Sequence, residues 1–250
     1  MSTPRLLQGL LWLAFLGVLT SGGHTSTYIA PWHHGMVLTT TVVLALGLLL
    51  AWRSDRHGHA HGGHSGHDHP PTSWSETAVH ALPLLLFVAV GPTALGSHAL
   101  TGASQLDATT LAAPATPPTT TVDGFIVTDL LALRQDPLLS GGKIELVARL
   151  GEITDPTLRR KRDASASAPR PVLFRHGISC CAADAQPVYA WLAGERPRDV
   201  PLDAWVLVRG TVDARDTGGV IPVITAESIA VIAAPTEPYL IVPGAVKKHR

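Results

Sequence analysis

Two adjacent cysteines, Cys180 and Cys181, are the only cysteines in the chain, and the residues around them have the widest range of possible chemistry. His176 lies four residues before the pair, and Asp184 lies three residues after it. Thiolate, imidazole and carboxylate groups together can hold a soft or borderline cation such as zinc or copper. These four residues are therefore a candidate metal site.

Two other interpretations of the cysteines stay open. A bond between adjacent cysteines would be strained and easily reduced, so the pair could exchange thiols and disulfides, and His176 or Arg175 could lower the thiol pKa that such exchange needs. Free cysteines are also often small buried apolar residues without chemistry. The C-x-x-C spacing that is typical of redox and metal sites is absent, so the spacing selects none of the three interpretations.

A second group of candidate ligands is a histidine-rich segment within residues 54–76. Gly, Ala and Ser separate its histidines, and such a composition cannot build a core. Neutral imidazoles bind zinc, nickel and copper, so the segment predicts metal buffering, although low-complexity sequence without a role has the same composition. The histidines are His57, His59, His61, His64, His67 and His69.

The composition indicates a membrane protein. Of the 250 residues, 46% are hydrophobic and only 15% are charged, which is more apolar and less charged than an ordinary soluble protein. Apolar stretches at about 5–23, 35–53 and 78–98 predict three transmembrane helices within residues 1–100. Because Arg5 precedes a leucine-rich run, the first stretch could instead be a secretory signal.

The arginines near these stretches predict an orientation. Arg5 lies before the first stretch, Arg53 and Arg56 follow the second, and no further arginine occurs until Arg134. Basic residues favour the cytoplasmic side, so we expect a cytoplasmic N-terminus and a cytoplasmic histidine-rich loop. With three spans, the C-terminal domain of this multi-pass protein of the cell membrane would be extracytoplasmic.

The second half of the chain has the composition of a folded domain. Residues 101–121 are rich in Thr, Ala and Pro, and we expect a linker that spaces the domain 122–250 from the bilayer. Apolar and polar residues alternate through 143–153, as in a half-buried strand, while Asp129 is a predicted cap for a short helix. Several short strands and few helices predict a mainly-β domain, a small OB-like barrel.

Four motifs of the chain resemble the YcgQ family of permease subunits. They are a D-G-F opening of the β domain, an F-R-x-x-I-S-C-C-x-A-D-A-x-P core, a W-V-x-V-x-G strand and a late P-x-x-P-Y-L. In this chain the motifs are Asp123–Phe125, Phe174–Pro187, Trp205–Gly210 and Pro235–Leu240. Together with two closely spaced N-terminal spans, a polar loop and a third span, these motifs extend the resemblance over most of the chain. The double cysteine followed by alanine and aspartate is its most specific part.

The resemblance implies a non-enzymatic accessory subunit of a two-component membrane permease complex. Its expected partners are the lipid bilayer and a larger multi-spanning permease subunit. Some members of the family are linked to zinc homeostasis, so a bound ion would be zinc or another divalent transition metal. The alternative is a membrane-anchored thiol, redox or metal-binding protein. A net charge of zero argues against nucleic acid as a partner.

Overall fold

The computed structural model divides the chain into two compact units, Met1–Thr93 and Ala94–Arg250. We call them the helical unit and the β unit. The described residues are 3–57, 78–79, 81–82, 84–85, 94–100, 119–136, 139–153, 169–215 and 221–242.

Two helices, α1 (Thr3–Ser21) and α2 (His34–His57), form the described part of the helical unit. Short 3₁₀ helices at His24–Thr27 and Pro31–His33 connect them. The helix α1 ends where Gly23 takes a positive φ of 67°, a conformation that glycine adopts without steric cost.

The prediction of three N-terminal transmembrane helices is wrong. Within the described parts of the chain, only α2 has an apolar window of sufficient length, His34–Arg53. The apolar part of α1 is Leu6–Ser21, which at 1.5 Å per residue is about 24 Å long and shorter than the roughly 30 Å hydrocarbon layer. Only short pieces of the third predicted span are described, and its last residues, from Ala94, belong to the β unit.

The helix α2 is long and apolar enough to cross a membrane, and its large apolar side chains are exposed. A helix of this kind near the N-terminus fits a membrane anchor and also a signal sequence, and it does not show a multi-pass arrangement. The cytoplasmic N-terminus and the extracytoplasmic C-terminal domain therefore stay predictions. The exposed residues include Met36, Leu38, Val42, Val43, Leu46, Leu49 and Leu50.

The β unit contains eight described strands and a short helix, which confirms the mainly-β part of the fold prediction. The helix α3 (Leu130–Gln135) begins at Asp129, whose carboxylate accepts hydrogen bonds from the backbone N–H groups of Leu131 and Ala132, as the sequence predicts. The strands are β1 (Thr119–Thr120), β2 (Ile126–Val127), β3 (Lys143–Ile153), β4 (Arg170–Ile178), β5 (Gln186–Leu192), β6 (Trp205–Arg215), β7 (Pro222–Val231) and β8 (Leu240–Ile241).

Five of the strands close into a ring in the order β3-β4-β5-β7-β6 and back to β3. The pairings are antiparallel except for β5 with β7, which are parallel. A closed five-stranded ring with this connectivity is an OB-like barrel. The strand β8 adds to the end of β4, where Gly177 pairs with Leu240 and Ile178 pairs with Ile241.

Strand alternation gives the barrel two apolar layers, because successive side chains point to opposite faces of a strand. The interior layer takes alternate residues of β3 and their neighbours on the other strands. It includes Ile144, Leu146, Ala148, Leu150, Leu173, Val188, Ala190, Leu192, Val206, Val208 and Ile224. The outer layer consists of Leu100, Ile153, Val172, Phe174, Tyr189, Trp191 and Val223.

The outer layer is covered in part by residues 94–100, which we call the strap. Leu100 of the strap is 2% exposed and packs beside Phe174. The contact requires Gly151, because a Cβ at that position would lie 2.8 Å from Phe174 Cε1 and 3.3 Å from Leu100 Cδ1. The strap is therefore an integral part of the β unit, and the chain contacts this unit before the Thr/Ala/Pro-rich residues 101–121 begin.

Candidate metal site at the cysteine pair

The cysteines lie in the loop between β4 and β5. The strand β4 ends at Ile178, and the loop continues through a 3₁₀ helix at Ala182–Asp184. Cys181 stands immediately before this helix in an extended conformation, with φ −156° and ψ 170°. Cys180 is exposed and Cys181 is partly exposed, and both are free thiols. The interpretation of the pair as buried packing residues is therefore wrong.

Asp184 fixes the shape of this loop. Its Oδ1 accepts a hydrogen bond from the backbone N–H of Ser179 at 3.0 Å, and its Oδ2 accepts one from the backbone N–H of Cys180 at 2.8 Å. Burial raises the pKa of the Asp184 carboxyl, but these hydrogen bonds outweigh it and leave the pKa below its ordinary value. Asp184 is therefore an anion at neutral pH that holds the two thiols in place.

The loop brings three possible metal ligands together. The Sγ atoms of Cys180 and Cys181 are 3.6 Å apart, and each of them lies within 4.8 Å of a carboxylate oxygen of Asp184. A hydrogen bond from the Cys180 thiol to Asp184, with a second contact to Cys181, raises the pKa of Cys180 to about 12. The resting thiol is therefore protonated, and a metal ion that binds here would replace this proton.

His176 does not join this group. It lies on β4 with 3% of its surface exposed, and its ring packs edge-on against Phe174 with 5.6 Å between the ring centroids. Burial and the charges of Arg149 and His98 lower the pKa of His176 to about 4, against a smaller effect of Asp203. The predicted four-residue set therefore separates into a cysteine–aspartate group and a buried, neutral histidine.

The second predicted ligand group is not tested by the structure. His57 is the last residue of α2. The other five histidines of the segment, from His59 to His69, lie outside the described residues. Metal buffering by these imidazoles stays a prediction.

The structure also shows polar residues around the strap that the sequence did not indicate. Asp203 Oδ1 accepts from the backbone N–H of Ser97 at 2.7 Å, and Asp203 Oδ2 accepts from its hydroxyl at 2.8 Å. Arg149 Nη1 donates to the carbonyl oxygen of Leu95 at 2.7 Å, and the Tyr239 hydroxyl accepts from the Leu95 N–H at 3.2 Å. The one available sequence signal was Tyr239 in the P-x-x-P-Y-L motif.

The strand that leads into the cysteine loop is also fixed from the other side. Arg175 on β4 donates to the carbonyl oxygens of Glu237 at 2.5 Å and of Tyr239 at 3.2 Å. The Val242 N–H donates to the carbonyl oxygen of Ile178, the last residue of β4, at 2.9 Å. The loop therefore begins from a strand end that has hydrogen-bonded neighbours on both edges.

The comparison with protein families covers this part of the chain. Residues 161–241 match the model described as the DUF1980 C-terminal domain. This range is about a third of the chain and contains β4 to β8 and the cysteine loop. No curated protein and no solved structure matches the chain. Residues 161–241 of the β unit are thus similar to the DUF1980 C-terminal domain, from a family associated with YcgQ-like permease-related proteins.

Proposed function

We propose that this chain is a membrane-anchored, non-enzymatic accessory subunit of a two-component permease, and that its β unit binds a thiophilic metal ion. The observation that carries the metal role is the convergence of Cys180, Cys181 and Asp184 within 4.8 Å on an exposed loop. The family match over residues 161–241 supports a membrane-associated accessory protein.

The helical unit supports the proposal of a partner. In the described part of the chain, α2 alone is long and apolar enough to cross a bilayer. Pathways for ions are lined by polar or charged groups of several packed spans, and a single apolar helix does not enclose such a pathway. The transport path therefore belongs to a larger multi-spanning subunit, on which this chain acts.

The geometry favours metal binding over thiol exchange. The sulfur atoms of the free thiols are 3.6 Å apart, which is close to the separation of about 3.8 Å for two thiolates on one tetrahedral ion, whereas a disulfide between adjacent cysteines is strained. Thiol exchange and metal binding both require loss of the Cys180 proton, which a hydrogen bond to Asp184 holds, but only a metal ion gains from the neighbouring carboxylate once the proton has left. A metal ion uses the same carboxylate as a neighbour that compensates its positive charge.

Two measurements on the full chain in detergent test the proposal. The first is metal content after purification, for the parent and for the Cys180→Ser, Cys181→Ser double variant. We expect bound zinc or another soft divalent metal in the parent, and less in the double variant. Equal metal in both would reject the cysteine site.

The second measurement is crosslinking in membranes of the native host, followed by mass spectrometry. We expect one multi-spanning membrane protein in stoichiometric amount with the parent chain. The control is a chain in which an unrelated apolar helix replaces α2. Equal recovery of all membrane proteins with parent and control would reject the accessory role.

A further inference from the structure

We infer that Cys180, Cys181 and Asp184 form an open three-donor site for a four-coordinate divalent ion of the zinc class, with a fourth position left for an exchangeable ligand. The inference rests on the proposed metal role and goes beyond it, because it states the coordination geometry. It also assigns the ion as cargo of this subunit rather than as a structural part of its fold.

The distance between the two sulfur atoms indicates the geometry. With metal–sulfur bonds of about 2.3 Å, a tetrahedral angle places two thiolates about 3.8 Å apart, whereas a linear arrangement places them about 4.6 Å apart. The observed separation of Cys180 Sγ and Cys181 Sγ is 3.6 Å. The pair therefore already has the spacing of a tetrahedral chelate, and linear coordination would require the sulfurs to move apart by about 1 Å.

Asp184 supplies the third donor. Each of its oxygens accepts one backbone N–H, from Ser179 or Cys180, and a carboxylate oxygen has a further lone pair. An oxygen of this carboxylate lies within 4.8 Å of the Sγ atoms of both Cys180 and Cys181. A metal ion that replaces the thiol proton would therefore find the oxygen beside it, and the backbone hydrogen bonds would still hold the loop.

The fourth position has no protein ligand among the described residues. The group that can converge on one ion contains Cys180, Cys181 and Asp184, and His176 is buried on β4. A site with three protein ligands and one open position is typical of exchangeable or reactive metals, whereas structural zinc sites are closed by four ligands. Water or a donor from the permease can occupy the open position.

The fold of the β unit does not depend on this site. Neither apolar layer of the barrel includes any of the three donors. Small domains that need zinc to fold have their core organised around the metal, and removal of the metal unfolds them. This barrel closes through its own strand pairings, so the loop can load and release an ion while the barrel stays folded.

Cobalt substitution tests the coordination geometry directly. The protein is the full chain in detergent. The six histidines of the histidine-rich segment (57, 59, 61, 64, 67 and 69) are changed to alanine to remove competing imidazoles. We expect one Co²⁺ per chain, the intense visible bands of a tetrahedral ion and a sulfur charge-transfer band. Added imidazole should shift these bands, because it enters the open position. A weak octahedral spectrum, or no sulfur band, would overturn the inference.

Single variants separate the roles of the donors. Cys180→Ser or Cys181→Ser should weaken Co²⁺ binding by more than about 100-fold. Substitution of groups that only support a metal ligand already lowers metal affinity by about 10- to 100-fold, and a ligand itself should matter more. Asp184→Asn should weaken binding and change the visible spectrum while it retains the sulfur band. Ser179→Ala is the matched control, because it keeps the backbone N–H that bonds to Asp184, and its affinity should be unchanged.

The cargo assignment has its own readout. Zinc should pass from the loaded chain to a chromophoric chelator, and the metal-free chain should keep its near-ultraviolet circular dichroism. Loss of that signal on removal of the metal would overturn the assignment. A tetrahedral cobalt spectrum without a co-purifying permease would reject the accessory role and keep the inference. Recovery of a stoichiometric permease without a tetrahedral cobalt spectrum would reject the inference and keep the accessory role.

Discussion

Arg149 and Asp203 face each other across the strap, with 3.3 Å between Arg149 Nη2 and Asp203 Oδ1. Arg149 also donates from Nε to the backbone oxygen of Asp203 at 2.9 Å. Each side chain has a second set of bonds to the strap, Arg149 to Leu95 and Asp203 to Ser97. The two charges therefore neutralise each other while they bind the backbone of the strap.

The first prediction concerns Asp203→Asn. Asparagine tolerates the positive φ of 65° at this position, so the substitution removes the charge without new backbone strain. We expect the free energy of unfolding to fall by about 1–3 kcal/mol. Loss of a hydrogen bond to a charged group, which leaves its partner unpaired, has a cost in this range. Hydrogen exchange at the Ser97 amide should become faster.

Glu227→Gln is the matched control for Asp203→Asn. Glu227 forms an exposed ion pair with Lys143 at 3.2 Å, and such pairs contribute about 0–1 kcal/mol. The control should leave both stability and strap exchange nearly unchanged. Equal effects of the two substitutions would contradict the role of Asp203.

The second prediction concerns Gly151→Ala. The added methyl group would lie 2.8 Å from Phe174 Cε1 and 3.3 Å from Leu100 Cδ1, so one of these side chains must move. Overpacking of this kind costs about 1–3 kcal/mol. Chemical denaturation followed by tryptophan fluorescence measures the loss. Gly47→Ala in α2 is the control, since no atom lies within 4 Å of its added Cβ.

The third prediction concerns the pH dependence of stability at His176. The folded-state pKa is about 4, below the ordinary 6.5, so between these values the unfolded chain binds the proton more strongly. Stability from this residue is complete above about pH 6.5 and decreases as the pH falls towards about 4, by up to roughly 3 kcal/mol. Arg149, His98 and Asp203 are the charged groups that face it.

His176→Phe should remove this part of the pH dependence. Phenylalanine keeps an aromatic ring against Phe174 and removes the buried Nε2, which has no hydrogen-bond partner. We expect equal or higher stability at neutral pH and a shallower slope between about pH 6.5 and 4. Identical slopes for parent and variant, from denaturation curves at several pH values, would show that His176 does not titrate in this way.

The fourth prediction concerns thiol reactivity. In a Cys181→Ser background, Cys180 is the single thiol, and its hydrogen bond to Asp184 keeps its pKa raised. Asp184→Asn should lower that pKa and increase the alkylation rate at neutral pH, by about tenfold for each unit of pKa until the thiol is mostly ionised. Iodoacetamide labelling followed by mass spectrometry gives the rate. An unchanged rate would show that the carboxylate does not control the thiol.

Local patterns of the sequence were enough to predict the strand β3 and the cap of the helix α3. The alternation in 143–153 follows from one face of β3 lining the barrel interior, and the cap at Asp129 follows from its position before a leucine-rich turn. Both depend on neighbours within a few residues. The strap depends on contacts between Ser97 and Asp203, more than a hundred residues apart, which no local pattern contains.

The third predicted span and the inclusion of His176 in the cysteine site failed for related physical reasons. Hydropathy registers Leu100 as apolar but does not distinguish burial in a bilayer from burial against a barrel. The third predicted span, 78–98, therefore includes residues 94–98 of the strap. Likewise, His176 is near Cys180 in sequence. The strand β4 continues to Ile178 before the loop turns, so the His176 ring stays on the strand and packs against Phe174.

The attachment of the strap changes what a break in the chain would do. Proteolysis within residues 101–118 would cut the only covalent connection between the strap and the strands. The strap would nevertheless remain seated through Leu100, Ser97 and Leu95, like a peptide bound in a groove. A nicked chain would therefore keep its β unit attached as a non-covalent complex, instead of releasing it as a free domain.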